Sequence, residues 1–279
     1  GYFFKRFLGQ RLKINVNENV TANLTTAQAN DDYNGQVVGI EVNSSKKATS
    51  NSETQVNIAT GKKIEAARTD GTDKGATGVF INYGQLENKG TISVEKDPTA
   101  NSGAVGVYAV NGSKVDNKGT IDVGGNQSVG ILGMAYREDA SHNPIVKEFG
   151  DKATNQGLVN ITNEKDIKIS GKDAIGIYAM NNNPDNTVTS HLVTNKGTVE
   201  VGDSDQKTAV GIYAKGVNVK PEGGKIKIGK KAVGIYAENS NVGETGKDLG
   251  TIDFNGDNGV GIYLKGGLSN LDGNKVTLS

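Results

Sequence analysis

Ala209-Val-Gly-Ile-Tyr-Ala214 decides the fold of this chain, because the chain repeats it. Close copies are Ala104-Val-Gly-Val-Tyr-Ala109, Ala174-Ile-Gly-Ile-Tyr-Ala179, Ala232-Val-Gly-Ile-Tyr-Ala237 and Gly259-Val-Gly-Ile-Tyr-Leu264. Weaker copies are Val37-Val-Gly-Ile-Glu-Val42, Ala76-Thr-Gly-Val-Phe-Ile81 and Ser128-Val-Gly-Ile-Leu-Gly133. In an extended strand alternate side chains face opposite ways. Plain alternation predicts Val210, Ile212 and Ala214 on one aliphatic face, with Ala209, Gly211 and Tyr213 on the other.

A second motif lies between the copies: Asn88-Lys-Gly-Thr-Ile-Ser-Val94, Asn117-Lys-Gly-Thr-Ile-Asp-Val123 and Asn195-Lys-Gly-Thr-Val-Glu-Val201. Its apolar residues alternate too, and Asn-Lys-Gly reads as a turn of residues that tolerate positive φ. A third short strand precedes it, as in Lys114-Val-Asp116 and Leu192-Val-Thr194. The central glycines of the first motif recur at spacings of 23 to 28 residues, with longer gaps where loops are inserted. A fixed unit of that length, with three strands and three turns, predicts an all-β parallel β-helix, a solenoid of stacked coils. Eight copies at one strand spacing per coil give a rod on the order of 35 Å long.

Composition agrees. Among 279 residues there are 39 Gly and only 4 Pro, and the glycines sit at repeat positions. Lys plus Arg (31) balance Asp plus Glu (31), which removes any global attraction to nucleic acid or an anionic membrane. Without cysteine there is no thiol catalysis, disulfide or Cys-type zinc site. No apolar run approaches the ~18 residues of a membrane span. The chain starts at Gly1 and stops inside a repeat strand, which reads as a piece of a longer protein.

Residues 1–34 read as an N-terminal cap or irregular segment and 35–279 as the β-helix domain. Within the cap, Phe4, Leu8 and Leu12 share a helical face, so residues 1–13 are expected to form a helix or an irregular plug. A membrane-surface amphipathic helix and a processing remnant are the alternatives. Segments 134–155 and 181–192 read as loops leaving the rod, places where repeat scaffolds often carry binding.

Five constellations bear on function. Tyr108, Tyr178, Tyr213, Tyr236 and Tyr263 occupy one slot of the repeat, with Phe80 and Leu132 as variants. Stacked coils would place these rings one above another, as a stabilising ladder or as a strip for sugar or protein; Tyr178, Tyr213, Tyr236 and Tyr263 are the candidate binding residues. Asp122, Lys168, Glu200, Lys227 and Asp253 form a row of alternating sign, which specifies register. Gly202-Asp-Ser204 has the look of a serine-protease tripeptide but is followed by Asp205, with only His142 and His191 as bases. Asp253 to Gly259 lacks the Gly and Glu positions of an EF-hand. The remaining carboxylates are scattered rather than clustered for glycoside chemistry. No catalytic residue, metal site or cofactor is expected, and the chain is not read as an enzyme.

The Gly-Ile-Tyr-Ala and Asn-Lys-Gly-Thr-Ile-x-Val repeats, over residues 35–279, resemble the passenger regions of large type V autotransporter adhesins, those of fusobacteria in particular. The resemblance implies a right-handed β-helix carried to the cell surface by a C-terminal outer-membrane β-barrel. It also implies attachment to other bacteria or to host cells. The expected partner is then a host or bacterial cell-surface protein or glycan, the rod itself being a monomer. Two other readings stay open: a stalk whose binding or enzymatic site lies elsewhere, and a polysaccharide-acting β-helix.

Overall fold

The computed structural model describes residues 2–9, 12–25, 37–44, 54–69, 75–97, 103–145, 157–184, 190–205, 208–266 and 277–278. These form three parallel sheets and no helix. In each sheet the strand order follows the chain one coil at a time; among the described residues the first seven coils each give one strand to every wall, and the last two give strands to the first and third walls. The first sheet has nine described strands, among them Val105–Val110, Ile175–Met180, Val210–Lys215, Val233–Glu238 and Val260–Lys265. The second has seven, including Lys114–Asn117 and Leu192–Asn195, and the third nine, including Thr120–Val123 and Thr198–Val201. The parallel β-helix expected from the repeat is the fold, and each coil stacks on the next with equivalent motif residues in register.

The core is a column of small aliphatic side chains. Ile121, Ile167 and Val199 of the third sheet, Val115, Ile161 and Val193 of the second and Val107, Ile177 and Ile212 of the first are essentially sealed from water. No large aromatic ring fits such a narrow lumen repeatedly, and Tyr136 alone among the described tyrosines joins the core.

Simple alternation fails at the decisive motif. Ala209, Ile212 and Ala214 belong to the core, but Val210 does not; the same holds for Ala232, Ile235 and Ala237 against Val233. Gly211 also faces inward: a methyl group there would meet Ile226 Cγ2 at 2.5 Å and the Gly234 carbonyl oxygen at 2.6 Å. Gly and Ile thus point in consecutively, and the Val and Tyr rows point out three residues apart. The interior leaves no room for a side chain where the third sheet passes close, so the strand shifts its pleat there.

The Asn-Lys-Gly turns also differ from expectation. Neither the Asn nor the Gly adopts positive φ at Asn88 to Gly90, Asn117 to Gly119 or Asn195 to Gly197. The asparagines instead form a sealed amide ladder: Asn88, Asn117 and Asn163 each donate from Nδ2 to Oδ1 of the next coil, at 2.8 Å every time. The glycines allow backbone to lie on backbone, since a methyl at Gly119 would sit 2.1 Å from the Gly90 oxygen.

The N-terminal segment is a coil. Tyr2–Gly9 is a strand lying parallel to Val37–Ser44, and Lys13–Val16 and Val20–Leu24 supply the other two walls. Phe7 packs on the core while Leu8 is 60% exposed, the reverse of what an apolar helical stripe through Leu8 would give. The physical reason is the bare strand edge: Val37–Ser44 offers a row of unpaired backbone groups that a helix would leave open and a strand satisfies. Residues 1, 10–11 and 26–34 of the expected cap lie outside the described residues.

Candidate functional site

Of the three outer walls, the first sheet alone is apolar along most of its length. The second sheet presents residues such as Gln85, Glu87, Lys114 and Asp116, with Leu192 as an exception. The third presents the charge row, and its expected pairing holds in the register: Asp122, Lys168, Glu200, Lys227 and Asp253 lie side by side in successive coils. Lys168 and Lys227 approach Glu200 at 3.9 and 3.6 Å, while Asp253 takes Lys225 at 3.2 Å.

The first sheet carries two outward rows. One is β-branched, running from Val105 through Val129, Ile175, Val210 and Val233 to Val260, of which Val210 is buried although it lies outside the core. The other is the predicted aromatic row. The structure brings all four candidate tyrosines together: Tyr178, Tyr213, Tyr236 and Tyr263 occupy consecutive coils. Their rings stack at 4.8, 5.1 and 5.1 Å between centroids, tilted by only 3 to 12°. Before them, Leu132 interrupts the stack, and Phe80 meets Tyr108 edge-on at 5.4 Å. The first three rings of the stack are half-buried and Tyr263, in the last described coil of this wall, is 48% exposed.

Burial, with the neighbouring rings and Glu238 adding to it, pushes the Tyr213 phenol up to about 12. Burial raises Tyr108 and Tyr178 as well, helped by the negative charge of Glu138. These phenols are therefore neutral hydrogen-bonding groups at any ordinary pH. Tyr178 donates to Met180 Sδ at 3.7 Å; the hydroxyls of Tyr213, Tyr236 and Tyr263 have no partner among the described residues.

A loop borders this stack. Residues 135–145 leave the first wall and fold back as a small antiparallel hairpin closed by Glu138 and Pro144. Asn182 clamps it: its Oδ1 accepts from the Tyr136 amide at 2.8 Å, and its Nδ2 donates to the Tyr136 carbonyl and to Glu138 Oε1. The Arg137 amide donates to Asn111 Oδ1 at 3.0 Å. The two segments read as separate loops, 134–155 and 181–192, thus touch through Asn182, which sequence spacing gave no means to foresee. Residues 146–155 and 185–189 of those loops lie outside the described residues.

The other constellations resolve into local structure. Ser204 Oγ donates to Asp173 and accepts from the Thr208 amide, a turn arrangement. His191 is buried and accepts from the Val159 amide, and His142 lies exposed beside Glu138. No group of three or more His, Asp or Glu able to hold a metal ion occurs among the described residues. The sequence reading missed the β-branched row, because alternation had placed Val210 inside. No family model, curated protein or solved structure matches this chain.

Proposed function

We propose that this chain is a segment of a surface-displayed adhesive rod, and that the apolar first wall around Tyr178, Tyr213, Tyr236 and Tyr263 is its docking face. One observation carries the reading: four tyrosines stacked over consecutive coils, beside a β-branched row, on the outside of a rod whose other walls are mostly polar. Exposed contiguous apolar strips mark interaction surfaces, and tyrosine is favoured where one end of a side chain meets a partner and the other packs. The stack supplies rigidity, because each coil is fixed by its neighbours on both sides. Display on a cell surface, carriage by a C-terminal outer-membrane β-barrel and attachment to host or bacterial cells follow from the family resemblance of the repeats.

The test is binding of the purified chain to bacterial and host cells, with Tyr213→Ser/Tyr236→Ser as the surface variant and circular dichroism as the check on fold. Saturable binding lost in a folded variant supports a docking face. A folded wild-type chain that binds nothing makes the segment a spacer. Binding that survives the double variant but is lost when residues 137–144 are replaced by a short Gly-Ser linker moves the site to the hairpin.

A further inference from the structure

Where glycine follows asparagine, no Cβ shields the next main-chain nitrogen, and that nitrogen can attack the asparagine side-chain amide. The chain has four such steps: Asn34-Gly35, Asn111-Gly112, Asn255-Gly256 and Asn258-Gly259. The first lies outside the described residues. The other three differ in what holds the asparagine.

Asn111 is sealed, at 1% exposure. Its Nδ2 donates to Asn82 Oδ1 at 2.7 Å and its Oδ1 accepts from the Arg137 amide at 3.0 Å. The carboxamide is therefore fixed at both ends and kept from water. Asn255 and Asn258 instead lie exposed in the turn between the strands Thr251–Phe254 and Val260–Lys265. Neither side chain has a hydrogen-bond partner among the described residues, and the amides of Gly256 and Gly259 donate to none of them. Backbone conformation does not separate the cases, since Asn111 and Asn258 both stand at φ 60°. Burial and the hold on the side chain do.

We propose that Asn255 and Asn258 are sites of spontaneous deamidation in the folded rod, and that Asn111 is protected from it. The glycine nitrogen bonds to the asparagine Cγ, the side-chain nitrogen leaves as ammonia with the proton the glycine gives up, and a five-membered succinimide closes. Water adding at Cγ restores the ordinary peptide link and leaves aspartate. Water adding at the main-chain carbonyl carbon leaves the chain running through the side chain, as isoaspartate. Each site consumes one water and releases one ammonia, with no change of oxidation state.

The surroundings give the modification an effect. Each conversion adds a negative charge beside Asp253 and Asp257, in a chain whose 31 basic and 31 acidic residues balance. Isoaspartate also lengthens the main chain by one CH2. The turn is tied to the coil before it: the Lys231 amide donates to the Asp257 carbonyl at 2.8 Å and the Val260 amide to the Ala232 carbonyl at 2.9 Å. Residue 258 lies between those two ties, so an added CH2 there strains one of them and loosens the start of the strand that carries Tyr263. The modification stands whether or not the first wall is a docking face.

The experiment is incubation of the purified chain in mildly alkaline buffer, folded and in urea, followed by peptide mass spectrometry. Each deamidation adds about one dalton, and chromatography separates aspartyl from isoaspartyl peptides. In the folded chain Asn255 and Asn258 should convert at least tenfold faster than Asn111, because reaction at a sealed site waits on local opening. In urea the three rates should converge, as all share the same following residue. Asn258→Asp adds the charge without lengthening the chain, so amide hydrogen exchange over Val260–Lys265 should be faster in the isoaspartyl fraction than in that variant. Equal conversion of Asn111 and the turn in the folded chain, or a turn that stays intact under conditions that convert the unfolded chain, would overturn the assignment. Exchange no faster in the isoaspartyl fraction would overturn the effect on the strand.

Discussion

Gly211 and Tyr213 do opposite work two residues apart. Gly211 is inside because nothing larger fits between Ile226 and the backbone of the next coil. Gly211→Ala should therefore cost about 2 kcal/mol of stability through overpacking. Combined with Ile226→Ala, which deletes the methyl group it strikes, the loss should be smaller than the sum of the two single losses, as contacting residues are not additive. Urea unfolding of the three variants measures it. Tyr213 makes a prediction about pH. Its phenol is raised from 10 to about 12, by burial first. Between those values the unfolded chain has released the proton and the folded chain still holds it. The contribution is thus fully present below about pH 10 and is lost as pH rises toward 12. Urea midpoints should fall above pH 10, and less steeply in Tyr213→Phe.

At the scale of the element, register is held by ladders that run across strands. Asn117, Asn163 and Asn195 are sealed, and the amides of Asn117 and Asn163 each bond to the coil on either side. Asn163→Ala removes both ladder hydrogen bonds, and the Nδ2 bonds to the Lys165 and Thr198 carbonyls, and strands a donor on Asn117 and an acceptor on Asn195, so it should cost about 3 kcal/mol. A denaturant midpoint within a few tenths of wild type would mean that the amide ladder does not hold the coils. The ladder ends at Asn195, whose Nδ2 has no acceptor, because the next coil brings Pro221 to Gly224 there instead of an amide. The charge row is the weaker device. Glu200→Lys would set three lysines side by side and should cost roughly 0.5 kcal/mol per pair, fading with added salt. Such ladders explain what sequence reading could and could not see. Strands, period, the charge row and the stacked tyrosines were legible, because each follows from spacing alone. The role of Asn88 and Asn117 was not, since a turn and an amide ladder demand the same residue at the same place. Nor was the strand Tyr2–Gly9, which shares no motif with the other coils and pairs only because an edge awaits it. The outward turn of Val210 escaped for a third reason: it depends on a close approach between two walls, which no single strand records.

At the scale of the whole molecule, the rod is a one-dimensional stack in which each coil touches mainly the coils before and after it. Stability is then a sum of coil and interface terms rather than the property of a single core. Removing one complete repeat should be tolerated where removing a fraction of one is not. The sharpest case is the 23-residue unit from Val210 to Ala232, since Val210 and Val233 are register partners. Its deletion joins Ala209 to Val233, stacks Tyr178 on Tyr236 and sets Ile175 beside Val233. The product should remain folded by circular dichroism and be shorter by one strand spacing, about 4.8 Å. Deleting twelve residues from within the same unit should unfold the stack from that point, because inward and outward faces no longer coincide. The full-repeat deletion carries a built-in flaw. It takes out Lys225 and Lys227 and brings Glu200 against Asp253, a like-charge pair in place of an alternating row. Asp253→Lys in the shortened rod should then recover a few tenths of a kcal/mol or more at low salt and little at high salt, while the same substitution in the full-length rod, where residue 253 faces Lys227, should be destabilising. A change of sign between the two backgrounds, read from denaturant midpoints, is what nearest-neighbour coupling between coils requires; the same sign in both would mean that the row does not act coil by coil.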